Sequence, residues 1–399
     1  MDYYRILITY SETGGGHRCA AEAIKTAIDE IVQSTADAPN IEVFAEAIVE
    51  NSNLLNRSFV ELYNYLLRYH QAWVKYYIGW IEMFKPNDNW LGYRLCCVAV
   101  KASLQRIEPA IVISVHPMVN HYTARALKDM GMAETTRFVI VVTDPNANLW
   151  SGWACSDADL TFAPNDLARD RLIELGVESS RIPTLGMPIE PEFTRRAKVG
   201  RHELLFELKL DPERFTILLS AGWAGSEAIR DIYQALQQVK KPIQVIILCG
   251  HNDKLFAIMN EEKEGSVLPT VVLAFTESLS SLMSAGDLLV TKGGGLTTFE
   301  AIARRLPMAL DLRTEAMPQE SGTVKMLIEA QLAKPIHEPR DIVDIVESLE
   351  RVYDREARAL PTAHNLDCVD AIYDIAETIL DLLPRKPESN VLVSNIVGV

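Results

Sequence analysis

Residues 286–305 read GDLLVTKGGGLTTFEAIARR, and this stretch decides the fold of the chain. Residues 287–291 form an apolar run with the length of a buried strand, which ends at Gly293, Gly294 and Gly295. A segment with helical spacing follows at once, so the order is strand, glycine turn and helix, as in a βα unit of a parallel sheet. Backbone N–H groups at a helix N-terminus bind phosphate well when no Cβ stands in the way. The stretch therefore predicts an α/β fold with an anion site at this turn.

The helix after the glycines adds two polar side chains to the same place. Thr297 lies in its first turn, and Glu300 lies about one turn further in, where a carboxylate can accept hydrogen bonds from ribose hydroxyls. A nucleotide is one interpretation. The other is an ordinary α/β turn without a ligand, since the helix dipole alone favours a Glu in a first turn. The segment is neither a Walker A loop nor a GxGxxG fingerprint, so these residues leave both interpretations open.

The composition indicates a globular protein with more than one domain. At 399 residues the chain exceeds a typical single core, and it is 48% hydrophobic and 23% charged. No run of about 18 uncharged apolar residues predicts a membrane span, and MDYYRILITY reads as a first strand, not as a signal peptide. The six cysteines have no metal-ligand spacing and predict reduced thiols in the cytoplasm. A net charge of −15 argues against a nucleic-acid partner.

Strand-length apolar runs alternate with helical segments along almost the whole chain, which predicts two successive doubly wound α/β domains. The predicted strands are 5–10, 41–48, 110–116, 137–143, 159–163, 182–186, 215–221, 243–249, 270–275, 287–291 and 306–312. Pro188 and Pro191 interrupt regular structure near the middle. We therefore expect one domain at 1–190 and another at 203–362, with a cleft between them.

The segment SETGGGH, residues 11–17, forms a second glycine turn after the first predicted strand. Gly14, Gly15 and Gly16 let an acceptor or a phosphate approach the backbone, and His17 lies at the N-terminus of the next helix. The positive end of the helix dipole lowers the pKa of an imidazole, so a neutral His17 is able to accept a proton. A tight turn with a solvated histidine is the alternative interpretation.

Further polar residues of the first half come next to strand ends. Asp144 is placed to accept a proton or to orient His17, and Glu12 is a further candidate base. His116 is a candidate for the acceptor site. The alternatives are a turn Asp before Pro145 and a hydrogen-bonded structural histidine.

Two loops of the second half complete the candidate donor site. In SAGWAGSEAI, residues 220–229, Gly222 and Gly225 leave room for a phosphate near a helix start. Gln319 and Glu320 begin a later helix, where an adjacent amide and carboxylate suit the hydroxyls of a sugar. A capping pair without a ligand is the alternative at that helix.

Residues 57–106 carry eleven aromatic, seven basic and three acidic residues in an otherwise acidic chain. Trp and Tyr favour a membrane interface, and Lys and Arg favour anionic headgroups. The stretch therefore predicts a membrane-contacting surface that includes Trp73, Tyr76, Tyr77, Trp80 and Trp90. Packing of these aromatic residues into the first domain is the alternative.

Taken in order, six segments give the chain a family resemblance that none gives alone. They are SETGGGH (11–17), SVHP (114–117), VVTD (141–144), PNDLARDRLIELGVESSRIPTLGMPIEPEF (164–193), KGGGLTTFEAIARRLPMAL (292–310) and PQE (318–320). The chain resembles the monogalactosyldiacylglycerol synthase and processive diacylglycerol glucosyltransferase family, of glycosyltransferase family 28 type. One departure is Trp223, which stands where the family usually has a run of glycines.

The resemblance implies a GT-B fold, in which two Rossmann-like domains face a central cleft. It implies inverting transfer of a hexose from a UDP-sugar to a lipid acceptor such as diacylglycerol, without a metal or other cofactor. UDP is implied in the second domain, with Glu300 on the ribose and with Gln319 and Glu320 near the hexose. The first domain is implied to hold the acceptor beside His17. A helix at about 366–383 is implied to pack back on that domain.

The resemblance also implies a peripheral protein on the inner face of the cytoplasmic membrane. Two other functions fit the same residues. A UDP-sugar epimerase or hydrolase on the same fold would act without a lipid acceptor. A non-catalytic nucleotide-sugar-binding protein would account for Trp223 in the phosphate loop.

Overall fold

The computed structural model of the chain describes residues 3–36, 38–70, 73–74, 76–77, 79, 83, 89–223, 225–314, 318–349 and 370–384. Its strands are β1 (Tyr3–Tyr10), β2 (Asn40–Ala47), β3 (Ile111–Ser114), β4 (Arg137–Val141), β5 (Leu160–Phe162), β6 (Phe215–Ser220), β7 (Ile243–Leu248), β8 (Thr270–Leu273), β9 (Leu288–Thr291), β10 (Met308–Asp311) and β11 (Ala333–Ile336).

The α-helices in those ranges are α1 (Gly16–Ser34), α2 (Ile48–Ser52), α3 (Leu54–Tyr69), α4 (Trp90–Ile107), α5 (Asn120–Asp129), α6 (Asp166–Glu174), α7 (Arg201–Glu207), α8 (Ile229–Leu236), α9 (Asp253–Glu264), α10 (Leu279–Ala285), α11 (Gly295–Ala303), α12 (Pro318–Glu329), α13 (Asp341–Ser348) and α14 (Ala371–Leu380). Short 3-10 helices lie at Ser151–Trp153, Ser179–Arg181 and Pro191–Phe193.

The strands form two separate parallel sheets, which confirms the predicted α/β class. The first sheet has the order β2-β1-β3-β4-β5, and the second has the order β11-β10-β9-β6-β7-β8. Central strands such as β7 (IQVIIL) are buried along their whole length. Such continuous apolar runs are expected where helices cover both faces of a parallel sheet.

The strand order reverses once in each sheet, and these switch points position the candidate site. In the first sheet β1 lies between β2 and β3, and in the second sheet β6 lies between β7 and β9. The loops that leave the two strands at a switch point run in opposite directions and open a crevice at the carboxyl edge, where ligands bind in doubly wound sheets. The loops after β1, β3, β6 and β9 carry the sequence motifs around His17, His116, Gly222 and Gly294.

The two halves share buried apolar contacts. Met187 and Ile189 of the connecting segment are fully buried in the same cluster as Ile24 of α1 and Phe299 of α11. Helix α14, the last described helix, packs against α1, and the Tyr373 hydroxyl donates a 2.7 Å hydrogen bond to Glu30. The predicted helix at 366–383 is thus seen from residue 370 onward, and its first residues lie outside the described ranges.

Two strand predictions were wrong. Residues 182–186 form no strand, and only an isolated bridge joins Thr184 to Ala163. Strand β11, with sequence AKPI, was missed. Its Pro335 argued against a strand, but β11 lies at the sheet edge, where a proline costs no ladder hydrogen bond on the open side.

Candidate active site

His17 lies at the switch point of the first sheet, held from one side of its ring. Its Nδ1 atom is 2.7 Å from the Val115 carbonyl oxygen, and the Thr143 hydroxyl oxygen lies 3.2 Å from the same nitrogen. Since a carbonyl oxygen only accepts hydrogen bonds, Nδ1 carries the proton in neutral His17. The other ring nitrogen, Nε2, therefore carries a free lone pair and is the atom able to take a proton from a hydroxyl.

Burial lowers the pKa of His17 to about 4, against the smaller opposing effect of the Val115 hydrogen bond. The imidazole is therefore neutral near pH 7, as a general base requires. A negatively charged group that enters the crevice stabilises the imidazolium and brings this pKa back toward its ordinary range. The sequence predicted a neutral His17 from the helix dipole, whereas the structure attributes the neutrality to burial.

His116 supports the glycine turn and packs against His17. Its Nδ1 accepts a 3.2 Å hydrogen bond from the Met118 N–H, so its Nε2 carries the proton and faces the Thr13 hydroxyl at 3.0 Å. The centres of the two histidine rings are 4.4 Å apart in an edge-to-face arrangement. His116 therefore fixes the turn and the ring behind it, and its assignment to an acceptor site stays a prediction.

Asp144 and Glu12 occupy different surroundings from those predicted. Asp144 accepts a 2.7 Å hydrogen bond from the Trp153 indole N–H, while the Val115 carbonyl, not Asp144, orients His17. Burial raises the pKa of Asp144 to about 6. The carboxylate of Glu12 lies 3.9 Å from Arg18, at the wall of a separate cavity of about 760 Å³.

The glycine turn of the first domain is held open by its own contacts. Gly14 and Gly15 have φ angles of 70° and 80°, a region that favours glycine. The Gly14 N–H donates a 3.1 Å hydrogen bond to the Asn64 side-chain oxygen, and the Asn64 amide donates one of 2.9 Å to the Glu12 carbonyl. Helix α1 begins directly afterwards, at Gly16.

Packing against neighbouring protein atoms requires glycine at two of the three positions after β9. A Cβ on Gly293 would lie 2.3 Å from Cγ2 of Val324 in α12, and a Cβ on Gly295 would lie 3.0 Å from the Thr143 carbonyl oxygen across the cleft. Gly294 has room, with Glu320 Oε1 at 3.9 Å from the equivalent point. Of the three glycines, Gly294 is therefore the one that packing does not require, and a phosphate could approach its backbone.

We expect Gly293→Ala to lower the free energy of unfolding by roughly 1–3 kcal/mol, because overpacking strains a close-packed contact. Gly294→Ala is the matched control and should cost less than about 1 kcal/mol, since its backbone lies in the extended region and its added methyl meets only ordinary contacts. Urea unfolding measures both. A double variant with Val324→Ala should show favourable coupling, and its absence would place the strain elsewhere.

Glu300 is the most strongly perturbed acid of the second domain. It is 7% exposed, in α11. Burial, followed by the nearby Glu190 and Glu192, raises the pKa of Glu300 to about 8. Burial raises the pKa of Glu190 to about 7, with a smaller effect of neighbouring carboxylates. Such a buried carboxyl group is ionised near neutral pH only when hydrogen-bond donors stabilise its charge, and ribose hydroxyls would be such donors.

Glu320 and Asp144 bring acids of the two domains together. Burial raises the pKa of Glu320 to about 7, while Lys292 acts to lower it and Asp144 to raise it. Burial lowers the pKa of Lys292, which comes just before the glycine turn. Sequence reasoning missed Lys292, although its place in KGGG was a usable signal. Gln319 begins α12 beside these groups, but its side chain lies outside what the structure describes.

The cleft is bridged beside these acids. The Asn146 amide donates a 3.1 Å hydrogen bond to the Thr323 hydroxyl, and the Asn148 amide donates one of 3.3 Å to Ser321. These contacts join the loop after β4 to α12. Thr297 and Thr298 lie in the first turn of α11, where Thr298 donates back to the Gly294 and Gly295 carbonyl groups.

The loop after β6 reaches across the cleft. Gly222 and Gly225 have φ angles of 75° and 73°. A Cβ on Gly225 would lie 2.4 Å from the Cys249 carbonyl oxygen, whereas no described atom lies within 4 Å of a Cβ on Gly222. Trp223 lies on the glycine turn of the first domain, since a Cβ on Gly15 would be 2.7 Å from its Cδ1.

Helices α3 and α4 and the described residues between them present apolar side chains to solvent. Trp73 and Tyr76 are 63% and 66% exposed, and Trp90 is 59% exposed. The same surface includes Leu54, Leu55, Leu62, Tyr65, Tyr69, Leu91, Leu95 and Val98. We call this set the α3–α4 surface. Several large apolar side chains are therefore exposed together on one surface, which favours an interaction surface over a packed core.

Two of the predicted surface residues need separate mention. Tyr77 turns inward: its ring lies 5.5 Å from that of Tyr63, its hydroxyl donates to the Phe59 carbonyl oxygen, and burial raises its pKa to about 12. Its assignment to the exposed surface was wrong because the predicted stretch folds with one aromatic face against α3. Trp80 lies outside the described residues. None of the described helices combines the length and apolarity needed to cross a membrane.

Among the described residues, no group of three or more His, Cys, Asp or Glu side chains is arranged to hold a metal ion. Two cations near the glycine turn after β9 are Lys292 and Arg313, and Arg313 is engaged by Asp311 at 2.8 Å. That no metal takes part in the reaction stays a prediction.

Known proteins match both halves of the chain. The family model of monogalactosyldiacylglycerol synthase matches residues 17–189, and that of the glycosyltransferase family 28 C-terminal domain matches residues 221–378. The chloroplast monogalactosyldiacylglycerol synthase of Spinacia oleracea is 30% identical over 86% of this chain and 65% of its own length. Monogalactosyldiacylglycerol synthase 2 of Arabidopsis thaliana is 28% identical over 96% of this chain and 81% of its own length.

Solved structures share the fold at low sequence identity. MurG of Acinetobacter baumannii has a TM-score of 0.58 at 12% identity, over 95% of this chain and 99% of its own. A putative UDP-N-acetylglucosamine 2-epimerase from Listeria monocytogenes has a TM-score of 0.61 at 13% identity, over 94% and 96%. These likenesses concern the fold alone and bear out the predicted GT-B arrangement.

The two sheets, the cleft motifs and the second-half match define a family 28 glycosyltransferase with the GT-B fold. Within that class, the chain is similar to monogalactosyldiacylglycerol synthases over most of its length, as its sequence motifs predicted. The chain spans 65% of the length of the spinach relative, which is slightly less than two thirds of that protein.

Proposed function

We propose that the protein transfers a hexose from a UDP-sugar to the hydroxyl of a lipid acceptor, diacylglycerol, with inversion at the anomeric carbon. One observation carries the proposal: the Val115 carbonyl fixes the proton of His17 on Nδ1, which leaves Nε2 as the proton acceptor in a residue at the switch point of the first sheet. The matches to monogalactosyldiacylglycerol synthases support the substrate class.

The acceptor hydroxyl attacks the anomeric carbon in line with the departing diphosphate. A bond forms between the acceptor oxygen and this carbon, and His17 Nε2 takes the hydroxyl proton. The bond from the anomeric carbon to the diphosphate oxygen breaks, and its electron pair leaves with UDP. His17 then loses its proton to solvent, while Thr143 and the Val115 carbonyl hold the ring in place throughout.

The second domain binds the donor in this proposal. Gly294 and the N-terminus of α11 meet the diphosphate, and Glu300 accepts hydrogen bonds from the ribose. Glu320 and Gln319 lie next to the hexose. No metal is required, because helix N-termini and Lys292 offset the charge of the leaving group.

We further propose that the α3–α4 surface docks on the inner face of the cytoplasmic membrane. We expect the triple variant Trp73→Ser, Tyr76→Ser, Trp90→Ser to lower vesicle binding at least about tenfold in a sedimentation assay, because amphipathic aromatic side chains anchor in the interface. Phe206→Ser is the matched control, since Phe206 is 80% exposed on α7 of the second domain. Equal losses in both variants would contradict this docking face.

One assay tests the transferase directly. The protein is incubated with radiolabelled UDP-galactose or UDP-glucose and vesicles that contain diacylglycerol, and the lipids are separated. We expect a labelled glycolipid with inverted, β-linked sugar. Release or epimerisation of the sugar without lipid would instead support a UDP-sugar hydrolase or epimerase. Tight UDP binding without turnover on any acceptor would support a non-catalytic binding protein.

A further inference from the structure

Arg68 is a cation at the mouth of the cleft that the mechanism above leaves unused. It lies in the last turn of α3, in the first domain. Its guanidinium carbon is 5.8 Å from the centre of the Trp223 ring, which belongs to the second domain. Arg68 thus reaches from one domain to the loop of the other that follows β6.

The polar contacts of Arg68 are incomplete. Its Nε atom is buried and has no hydrogen-bond partner within the part of the chain that the structure describes. A buried donor without an acceptor is destabilising, and more strongly so when the group is charged. An anionic ligand would remove this cost, and the planar fork of a guanidinium fits the oxygens of a phosphate.

The surroundings of Arg68 are those of a phosphate subsite. Trp223 follows Gly222 in the loop, and none of the described atoms lies within 4 Å of a Cβ placed on Gly222. Gly15 lies beneath the Trp223 ring, in the turn that leads to His17. The His251 ring lies 5.3 Å from the Trp223 ring, and the pKa of His251 is lowered by burial and then by Arg68, so this imidazole stays neutral near pH 7.

We propose that Arg68 binds the diphosphate of the donor and offsets the charge that develops on it as the sugar leaves. This inference rests on the proposed function. The guanidinium group makes a cation–π contact with the indole of Trp223, and contact between the domains brings Arg68 to the loop after β6. Arg68 therefore contributes a charge from the acceptor domain to a leaving group held by the donor domain.

The same guanidinium chemistry fits the phosphate of an anionic lipid, and the test separates the two sources. Arg68→Gln and Arg68→Lys are compared with Arg57→Gln, a control on the same helix whose side chain pairs with Glu61 at 2.9 Å. Calorimetry measures the affinity for UDP and for uridine without lipid. Sedimentation measures binding to neutral vesicles and to vesicles with phosphatidylglycerol.

We expect Arg68→Gln to weaken UDP binding about tenfold and uridine binding by less than about twofold, and to lower turnover on the order of 100-fold. Arg68→Lys should restore part of both losses, and Arg57→Gln should resemble the native protein. An unchanged ratio of UDP to uridine affinity would overturn the proposal. Loss of binding to phosphatidylglycerol vesicles with that ratio intact would overturn it in favour of a lipid phosphate.

These outcomes are distinguishable from a failure of the transferase assignment. The ratio of UDP to uridine affinity requires no turnover, so Arg68 is tested even if no acceptor is glycosylated. A native protein that labels lipid, combined with an Arg68→Gln variant that binds UDP normally, would leave the transferase standing and remove Arg68 from it.

Discussion

Replacement of His17 by alanine is expected to lower lipid glycosylation by about 10²–10⁴-fold, the range typical of a lost general base. The reason is specific: the free Nε2 is the proton acceptor, and Val115 and Thr143 hold the ring by its other nitrogen. UDP affinity should change by less than about twofold, because His17 acts on the acceptor hydroxyl and has no assigned contact with UDP. Turnover with radiolabelled donor and calorimetry with UDP measure the two effects separately.

The control for this variant is His202→Ala, since that side chain is 76% exposed and lies on the surface of the second domain. It should leave turnover unchanged. A His17→Ala protein with native turnover would remove this residue from proton transfer. Equal losses of turnover and of UDP affinity would mean that the substitution disturbs the fold of the glycine turn instead.

Replacement of Glu300 by glutamine is expected to have opposite effects on binding and stability. An amide cannot accept as many hydrogen bonds from ribose hydroxyls as a carboxylate, so UDP affinity should fall at least about tenfold. The unliganded variant should nevertheless be more stable than the native protein at pH 8, on the order of 3 kcal/mol, because a buried acid no longer has to ionise or hold a proton.

The native protein is the less stable of the two because burial raises the pKa of Glu300 from 4.5 to about 8. Between these values the folded chain keeps a proton that the unfolded chain releases, so native stability falls as the pH rises through this window, by about 1.4 kcal/mol per unit. Below pH 4.5 the two proteins should unfold alike. Thermal unfolding from pH 4.5 to 8.5 measures the difference.

Glu329→Gln is the control for the charge change, because that side chain is 66% exposed in α12. Its unfolding curve should follow that of the native protein at every pH. Parallel pH profiles for the native protein and the Glu300→Gln variant would show that Glu300 titrates normally, and would remove the stability argument without touching the UDP prediction.

Local sequence predicted those parts of the site that lie in one strand and one turn. The glycines after β9 and the histidine after β1 were found because strand, turn and helix succeed each other in the chain. The Val115 carbonyl that orients His17 could not be found, since a main-chain oxygen carries no residue signature. The orienting role was accordingly given to Asp144, whose hydrogen bond goes to Trp153.

Contacts between distant segments limited the prediction in the same way. The demand for glycine at 293 comes from Val324, which is thirty-one positions further along, and that at 295 comes from Thr143 in the other domain. The pattern KGGG indicated a ligand, but Gly293 and Gly295 are required because neighbouring protein atoms leave no room for a Cβ. Tyr77 turned inward for a related reason, since its partners Tyr63 and Phe59 lie one helix earlier.

The position of α14 has a consequence for synthesis. Its buried Ile372, Ile375 and Ile379 cover α1, which is translated more than 300 residues before them. At a translation rate of about 5–20 residues per second, α14 is synthesised tens of seconds after α1, and the apolar face of α1 lacks this partner until then. A ribosome stalled before residue 371 would therefore present a nascent chain with this apolar face uncovered, which is a site for aggregation.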